Sequence, residues 1–562
     1  MTLPAFAIGA DFGTASARVL LLDLRSGAEA ALCELPYPHG VIADKLPEGG
    51  LRLPPDWALH DPADYVTVLE AGIREVLRLE PGAAPYVVGI GLDTTACTVL
   101  PTTADGTPLC AQPAWRGRPH SWLKLWKHHS AQALANRMNE VALERGEQWL
   151  ARYGGHISSE WYFPKLAEIW YEDREVYDAT ERFLEVGDWV VWQLTGVEAR
   201  AACAASYKAL WAPGAGLPDG GYFEAVFPGF TGYRSKLGET FHLPGSSAGH
   251  LLPAVAERLG LPERTAVAVA NVDSFVSFPG AGADGPGSYV MVVGTSTCSM
   301  VVGREQREVP GMTGVAPDGI LPGLYGYEAG QAAVGDMFGW FANAIAPRSP
   351  QGTPYDLAAL EAAAAQFEPG ECGLLTLDWW NGNRSVLADA DLSGLVAGFT
   401  LTTGPAHIYR SLLEGTAFGN AAIVDAFVAN GLAVNDIVAC GGIADKSPLL
   451  MQLVSDASGL PVRVPASEQV PARGSALYGA VAAGAPRSGF AGIGEAARAL
   501  APPTAHEYKP GAYAGAVYRE LYGLWTELHD AAGRQHARVL HELKRLRAQA
   551  VRARADHTKE DS

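Results

Sequence analysis

The sequence predicts an α/β protein built from two domains of related fold that share a cleft. Strand-like and helix-like segments alternate through most of its 562 residues, which is typical of α/β architecture. This length exceeds that of one ordinary domain. An apolar strand, a polar turn with glycine and a second apolar strand also occur twice, nearly half a chain apart. We therefore expect each domain to supply one such turn to the cleft.

The first of these hairpins has chemistry that suits a phosphate chain. We predict strands at residues 6–10 and 18–22, with a turn at 11–14. Gly13 allows close approach of the backbone, and consecutive N–H groups in such a turn bind anions. Thr14 and Ser16 add hydroxyl donors, and Arg18 adds a cation. Asp11 would repel a phosphate, so its useful role is to hold hydrated Mg²⁺. Taken alone, an ordinary solvent-facing hairpin explains this turn equally well.

The second hairpin repeats the arrangement. Strands are predicted at residues 289–293 and 300–302, joined by Gly294, Thr295 and Ser296. Two such turns, each after an apolar strand, favour phosphate binding over coincidence.

Between the hairpins, the sequence predicts a further strand–turn–strand unit over residues 89–100 and then a helix. Trp122, Leu125 and Trp126 are spaced as one apolar helix face. A glycine- and proline-rich stretch at 279–287 is interpreted as the crossover between domains.

The predicted division is therefore an N-terminal domain over residues 1–278, a C-terminal domain over 279–500 and a helical tail over 501–562. An amphipathic helix or helix pair is expected over 518–554, with an apolar stripe that includes Leu543. Its basic lower half is interpreted as a solvated helix packed on the body, in preference to a surface for nucleic acid or a partner.

A third glycine-containing segment follows another apolar strand. Gly441 and Gly442 precede Ser447, a good N-cap, and Pro448, which suits the first helical position. Gly459 can end that helix. A glycine pair lets a flat ring lie against the backbone, as adenine requires, although a plain strand-to-helix connection is favoured when this segment is considered alone.

Composition excludes several classes of function. A net charge of −19 argues against a binder of duplex nucleic acid, while leaving room for a local cationic pocket. The seven cysteines show no metal-binding or paired spacing, as expected of reduced thiols in the cytoplasm. No apolar run is seen to approach membrane-span length, and Met1–Ala5 lacks the basic region of a signal peptide. A cytoplasmic protein with neither membrane nor nucleic-acid partners is expected.

Together these motifs resemble the phosphate and adenosine motifs of the carbohydrate kinases related to glycerol kinase and xylulokinase, within the actin and hexokinase superfamily. Among them the chain most resembles the bacterial ribulokinases. The resemblance extends over residues 6–483 and is most specific in five segments, namely 91–98, 155–161, 206–211, 326–331 and 378–384.

This resemblance implies two actin-like (ribonuclease H-like) domains that flank a deep cleft, with ATP and Mg²⁺ as cofactors. It implies Asp273 as catalytic base, although many relatives carry Gly-Asp-Gln there. The implied sugar ligands are the Ala96 backbone, Lys208, Asp273 and Glu328. The implied adenosine site consists of Gly441, Gly442 and Lys446, the last standing where relatives often carry Asn.

The implied reaction is phosphorylation of L-ribulose to L-ribulose 5-phosphate in L-arabinose catabolism. D-ribulose, ribitol, xylulose and glycerol are alternative small-molecule substrates, and an actin-like ATPase switch without a sugar substrate is an alternative of another class. Whether the chain forms a homodimer is left open by the sequence.

Several charged and aromatic residues have two interpretations from the sequence. Lys208 lies among apolar residues and Glu328 among small ones, so each is expected to pair or to bind something. Without the resemblance, a structural ion pair is favoured. His128 and His129 are predicted to be surface residues on a helix. Trp379 and Trp380 fit either a sugar-stacking platform or interior packing.

Overall fold

The computed structural model describes residues 4–346 and 356–560, so the first three residues of the segment Met1–Ala5 lie outside it. Up to residue 280 the described chain forms these strands: β1 Phe6–Phe12, β2 Ser16–Asp23, β3 Glu29–Pro36, β4 Leu59–His60, β5 Val87–Thr94, β6 Val99–Thr102, β7 Leu123–Lys124, β8 Arg182–Glu185, β9 Arg200–Ala201, β10 Phe241–His242, β11 Ser247–His250, β12 Ala266–Ala268 and β13 Asn271–Val272. Its helices are α1 Pro62–Leu79, α2 Gln132–Arg145, α3 Tyr162–Glu172, α4 Arg174–Ala179, α5 Val186–Thr195, α6 Ala202–Lys208, α7 Gly220–Val226, α8 Tyr233–Leu237, α9 Pro253–Leu259 and α10 Asp273–Gly280.

The remainder of the described chain adds these strands: β14 Gly287–Val293, β15 Thr297–Gly303, β16 Gly314–Pro317, β17 Tyr325–Gln331, β18 Leu375–Leu377, β19 Leu395–Ala397, β20 Val434–Cys440, β21 Val462–Pro465 and β22 Thr504–Tyr508. Its helices are α11 Gly335–Trp340, α12 Leu357–Ala364, α13 Pro405–Ala429, α14 Gly442–Lys446, α15 Pro448–Ser458, α16 Val470–Ala482, α17 Ala485–Ser488, α18 Ile493–Ala499, α19 Ala512–Asp530 and α20 Ala537–Glu560.

Two large sheets have the same strand order and the same strand directions. The first sheet runs β11-β12-β5-β1-β2-β3, and the second runs β22-β21-β20-β14-β15-β17 with β16 at its edge. In the first sheet, β1 pairs antiparallel with β2 and parallel with β5. In the second sheet, β14 pairs antiparallel with β15 and parallel with β20. This duplication explains the repeated hairpin in the sequence and confirms the predicted α/β fold of two related domains.

Helices α2, α3, α4, α7 and α8 and a small sheet of order β4-β7-β6-β8 form an additional layer next to the first sheet. Its interior is rich in aromatic side chains, among them Tyr162, Phe163 and Phe223. The helix predicted at Trp122 is wrong, because a short 3-10 turn at Pro119–Ser121 is followed here by β7, which pairs with β4 and β6. The apolar spacing has a different cause, since Trp122 and Leu125 are buried on either side of the two-residue strand β7.

The strand–turn–strand unit predicted over residues 89–100 exists, but its two strands do not pair. β5 lies in the first sheet and β6 in the small sheet. The turn between them therefore connects two layers, and it places Ala96 at their junction.

Helix α16 lies late in the sequence but packs on the first sheet. Its side chains Ala476, Leu477 and Ala480 belong to the same apolar core as Ile8 and Ile90. The approach is so close that an added Cβ on Gly91 of β5 would lie 1.9 Å from the carbonyl oxygen of Ser475. The division into residues 1–278, 279–500 and 501–562 stays a prediction.

The second core lies between the second sheet and helices α13, α15 and α19. Helix α13 is long and apolar enough to span a membrane, but 72% of the relevant window is buried inside the protein. The expectation that no segment approaches that length is therefore wrong, and burial identifies α13 as a core helix.

The tail forms two helices, as predicted over residues 518–554. A π-helical turn at 531–535 joins α19 to α20. Trp525 of α19 is buried against the second core, and Trp379 lies edge-on to His529 with 5.3 Å between ring centroids. Trp379 is thus a packing residue. All seven cysteines are free thiols, as expected.

Candidate active site

Three carboxylates meet at one edge of the first sheet. Asp11 on β1 lies directly beside Asp93 on β5, and Asn271 of β13 lies on the other side of Asp93. Asp273 follows β13 immediately and begins α10. The acids converge because parallel strands end at the same edge of a sheet, which is where α/β proteins commonly bind ligands.

Burial and mutual repulsion raise the pKa values of these acids. Burial, together with the Asp11 charge, raises the pKa of Asp93 well above its usual range, and Ser475 of α16 donates a hydrogen bond of 2.5 Å to it. Burial also raises the pKa of Asp11, against the opposing charge of Arg18. For Asp273, burial and the nearby Asp11 charge raise the pKa to about 7. A carboxyl group with this pKa can exchange a proton near neutral pH, as a general base must.

The first predicted phosphate turn, at residues 11–16, is held by one internal hydrogen bond and two bonds to side chains outside it. The Gly13 N–H donates to the Ser16 carbonyl oxygen over 3.1 Å. The Trp126 indole N–H donates to the Thr14 hydroxyl over 3.0 Å. Ser16 donates its own hydroxyl to Glu34 over 2.6 Å, so that hydroxyl is engaged within the protein.

Arg18 lies between two acids, 3.5 Å from Asp11 and 3.0 Å from Glu34. Its guanidinium therefore lies at the turn and is engaged by both carboxylates, and its role toward a phosphate stays a prediction.

The second predicted phosphate turn, at residues 294–296, and the glycine pair lie together at the corresponding edge of the second sheet. The Gly294 N–H donates to Ser296 over 2.9 Å, and the Thr295 carbonyl accepts the Val334 N–H over 2.8 Å. Gly441 has a φ of 93° and an added Cβ would lie 2.7 Å from the Val293 carbonyl oxygen, so only glycine fits there.

The predicted helix after the glycine pair is present, preceded by a short one. Ser447 caps α15 by accepting the Leu450 N–H, and Gly459 ends the helix in the left-handed region. Lys446 is exposed at the end of α14.

An ion pair connects the two halves of the cleft. The Lys208 ammonium at the end of α6 lies 2.8 Å from the Glu328 carboxylate on β17. The Trp161 ring centroid is 5.6 Å from the same ammonium, which suits a cation–π contact. The charges of Lys208 and Glu328 both act on the pKa of Asp273. The ion-pair interpretation is therefore correct for this structure, and the pair also lies beside the predicted base.

The prediction that His128 lies on the surface is wrong. It is fully buried and contacts Glu168 at 2.8 Å, while His129 is exposed as predicted. Glu168 stabilises both His128 and the buried Lys124 ammonium, 2.8 Å away. In the sequence, the charged residues around His128 and His129 fit a solvent-exposed helix. Only the contact with Glu168, which is distant in the sequence, shows that His128 is buried.

Trp126 and Ser475 contact the site and were not predicted to do so. Each reaches it from a distant part of the chain, Trp126 to Thr14 and Ser475 to Asp93. No local motif marks either residue.

The carboxylates at this edge suit a Mg²⁺ ion that takes only one or two ligands from the protein. Among the described residues, no three His, Cys, Asp or Glu side chains come close enough to enclose a metal ion. Mg²⁺ usually keeps several waters and takes only one or two protein carboxylates, with phosphate oxygens completing its shell. Asp11, beside a second carboxylate and the phosphate turn, suits such a partial ligand set. The roles of all these side chains toward ligands stay predictions.

The duplicated sheets, with one glycine turn from each facing a cleft, define a two-domain protein of the actin-like class. Solved structures share this fold: the xylulose kinase from Rhodospirillum rubrum matches with a TM-score of 0.75 at 21% identity, over 95% of this chain and 100% of that one. Plasmodium falciparum glycerol kinase with ADP matches with a TM-score of 0.73 at 15% identity, over 94% and 98%.

Sequence comparison gives the family. Residues 289–483 match the C-terminal domain of the FGGY family of carbohydrate kinases. The chain is 47% identical to the ribulokinase of Shouchella clausii, over 97% of this chain and 98% of that one. It is 43% identical to the ribulokinase of Mycolicibacterium smegmatis, over 98% of both. The chain belongs to the ribulokinase family of carbohydrate kinases, so the resemblance seen in the sequence is confirmed, and membership implies ATP as a substrate.

Proposed function

We propose that the chain transfers the γ-phosphoryl group of ATP to the 5-hydroxyl of L-ribulose, in the catabolism of L-arabinose in the cytoplasm. One observation carries this proposal beyond the family: Lys208 and Glu328 meet at 2.8 Å across the cleft, beside an acid whose pKa is about 7. A sugar pocket needs such converging donors and acceptors, because a buried hydroxyl left unpaired costs affinity.

Asp273 is the proposed base. Its carboxylate is held by the Ser274 N–H over 2.7 Å, which fixes its orientation at the start of α10. The sugar oxygen forms a bond to the γ-phosphorus while the bond from that phosphorus to the β-phosphate oxygen breaks. The hydroxyl proton passes to Asp273, and ADP leaves. Positioning and charge stabilisation supply most of the catalysis in such transfers.

The remaining residues bind and orient. Lys208 donates to sugar oxygens and Glu328 accepts from sugar hydroxyls. When the sugar binds, these hydrogen bonds replace part of the contact between Lys208 and Glu328. The turns at Gly13 and Gly294 hold the phosphate chain with backbone N–H groups. Mg²⁺, when bound beside Asp11, supplies positive charge to that chain. Closure of the cleft excludes water, which would otherwise accept the phosphoryl group.

An ADP-release assay against L-ribulose, D-ribulose, xylulose, ribitol and glycerol tests the proposal. The expected result is the highest kcat/KM for L-ribulose. A higher kcat/KM for another substrate would correct the sugar assignment. ATP turnover unaffected by every sugar would refute the kinase proposal and favour an ATPase switch.

A further inference from the structure

The turn that carries Ala96 is fixed by buried polar groups. Within it, the Thr98 hydroxyl donates to the Thr95 carbonyl over 2.8 Å, and Cys97 has a φ of 60°, in the left-handed region. From outside, Glu185 accepts the Thr98 N–H over 3.0 Å. A non-glycine residue in that region costs free energy, so surrounding contacts must hold the turn in place.

Lys165 of α3 supplies one of those contacts. Its side chain is completely buried, and its ammonium donates to the Cys97 carbonyl oxygen and to the Leu125 carbonyl oxygen, at 2.6 Å each. Burial lowers its pKa to about 8, so the ammonium form still predominates at pH 7. A buried charge is tolerated when it is hydrogen-bonded, and these two carbonyls are what this ammonium holds.

The Leu125 carbonyl, the second partner of Lys165, lies next in the chain to a residue that contacts the first phosphate turn. Leu125 is followed by Trp126, whose indole N–H donates to the Thr14 hydroxyl over 3.0 Å. The Lys165 ammonium therefore contacts the turn of Ala96 directly. It also contacts Leu125, and the next residue, Trp126, is hydrogen-bonded to the first phosphate turn. None of the Lys165 side-chain surface is exposed, and its ammonium is hydrogen-bonded to the two backbone carbonyls.

We propose that Lys165 is a positioning residue that fixes the sugar-binding turn and the first phosphate turn relative to each other. The assignment of sugar and ATP to these turns rests on the proposed function. The inference that Lys165 holds the two turns in place rests on the hydrogen bonds of Lys165 and Trp126 alone. Loss of the ammonium frees the Cys97 and Leu125 carbonyls, and both turns loosen.

Lys124 provides a matched control. It is also a completely buried lysine of the same layer, but its ammonium lies 2.8 Å from Glu168 and contacts His128 rather than either turn. Trp126→Phe provides a second comparison, because it removes only the bond to Thr14.

The experiment compares Lys165→Met, Lys124→Met and Trp126→Phe with the unaltered chain in steady-state kinetics. Lys165→Met should raise the KM for both sugar and ATP by about tenfold or more, the equivalent of one charge-assisted hydrogen bond. Trp126→Phe should raise the KM for ATP alone. Lys124→Met should lower Tm with both KM values unchanged. A Lys165→Met enzyme with normal KM values and reduced Tm would overturn the proposal, as would equal KM increases in the two lysine variants.

Hydrogen–deuterium exchange of the ligand-free protein gives a readout that needs no substrate. In Lys165→Met, the backbone amides of residues 95–98 and 13–16 should exchange faster, while those of β20 in the second sheet should not change. Unchanged exchange in both turns would overturn the proposal. If the unaltered chain phosphorylated none of the sugars, the proposed function would fail, and the exchange rates alone would decide the role of Lys165.

Discussion

Asp273→Asn is the substitution that most directly tests the proposed chemistry. The amide keeps the shape of the side chain but cannot accept a proton, and general-base catalysis is worth roughly 10²–10⁴-fold. We therefore expect kcat to fall by about that factor, equivalent to ~3–5 kcal/mol of barrier. Because the pKa of Asp273 is about 7, kcat/KM of the unaltered enzyme should fall about tenfold per pH unit well below pH 7.

The same substitution should stabilise the ligand-free protein above pH 7. The pKa of Asp273 rises from 3.8 to about 7 on folding, so the folded state binds more protons than the unfolded state between these values. Stability from this group is present below pH 3.8 and is lost as pH rises to 7. The loss has an upper bound of ~4 kcal/mol. Asparagine carries no such cost, so Tm should increase at pH 8 and change less at pH 5.5.

Asp378→Asn is the matched control. Asp378 is buried and its pKa is likewise raised to about 7, but it accepts a hydrogen bond from Gln331 and is not one of the three carboxylates. This variant should keep the acidic limb of the kcat/KM profile. ADP release from pH 5.5 to 8.5, with thermal unfolding at both ends, measures all these effects. An Asp273→Asn enzyme retaining more than about a tenth of kcat would refute the assignment, being well short of the general-base range, and would direct attention to Asp93 or Glu328.

Three further results are expected. Lys208→Ala and Glu328→Ala should each raise the sugar KM by about 10- to 150-fold, from roughly 1.5–3 kcal/mol per charged hydrogen bond, with ATP KM nearly unchanged; reduced Tm with a normal sugar KM in both would contradict this. Gly441→Ala should lower nucleotide affinity and stability by roughly 1–3 kcal/mol, because its φ is 93°; calorimetry with a normal Kd and normal Tm would exclude it. ATP and sugar together should close the domains about a hinge near residues 272–287, and an unchanged radius of gyration in small-angle scattering would count against closure.

The parts of the fold that follow from local sequence were predictable. Both hairpins were recognisable because an apolar run and a Gly-Thr turn determine a strand and its reversal without distant partners. The cap at Ser447 and the left-handed Gly459 were predictable for the same reason. Family resemblance then gave the residues that the structure brings together, Lys208, Glu328 and Asp273.

The parts that depend on distant contacts were not predictable. Trp122 and Leu125 fit a helix face by spacing, yet pairing with β4 and β6 makes the segment a strand. His128 resembles a surface residue until Glu168, 40 residues away, is placed beside it. Lys165 has no motif, and its role is visible only once Cys97 and Leu125 lie on either side of its ammonium.

The late position of α16 in the sequence has a consequence for how the chain is made. The first sheet is complete when β13 leaves the ribosome, but the helix that covers Gly9 and Gly91 lies at Val470–Ala482. Synthesis proceeds at about 5–20 residues per second, so Leu20 and Leu22, which share the sheet face of Gly9, wait roughly ten seconds or more for their cover. During that interval the nascent chain presents an apolar sheet face to the cell. A fragment ending at residue 278 would present it permanently, and should aggregate or recruit chaperones unless α16 is supplied in trans.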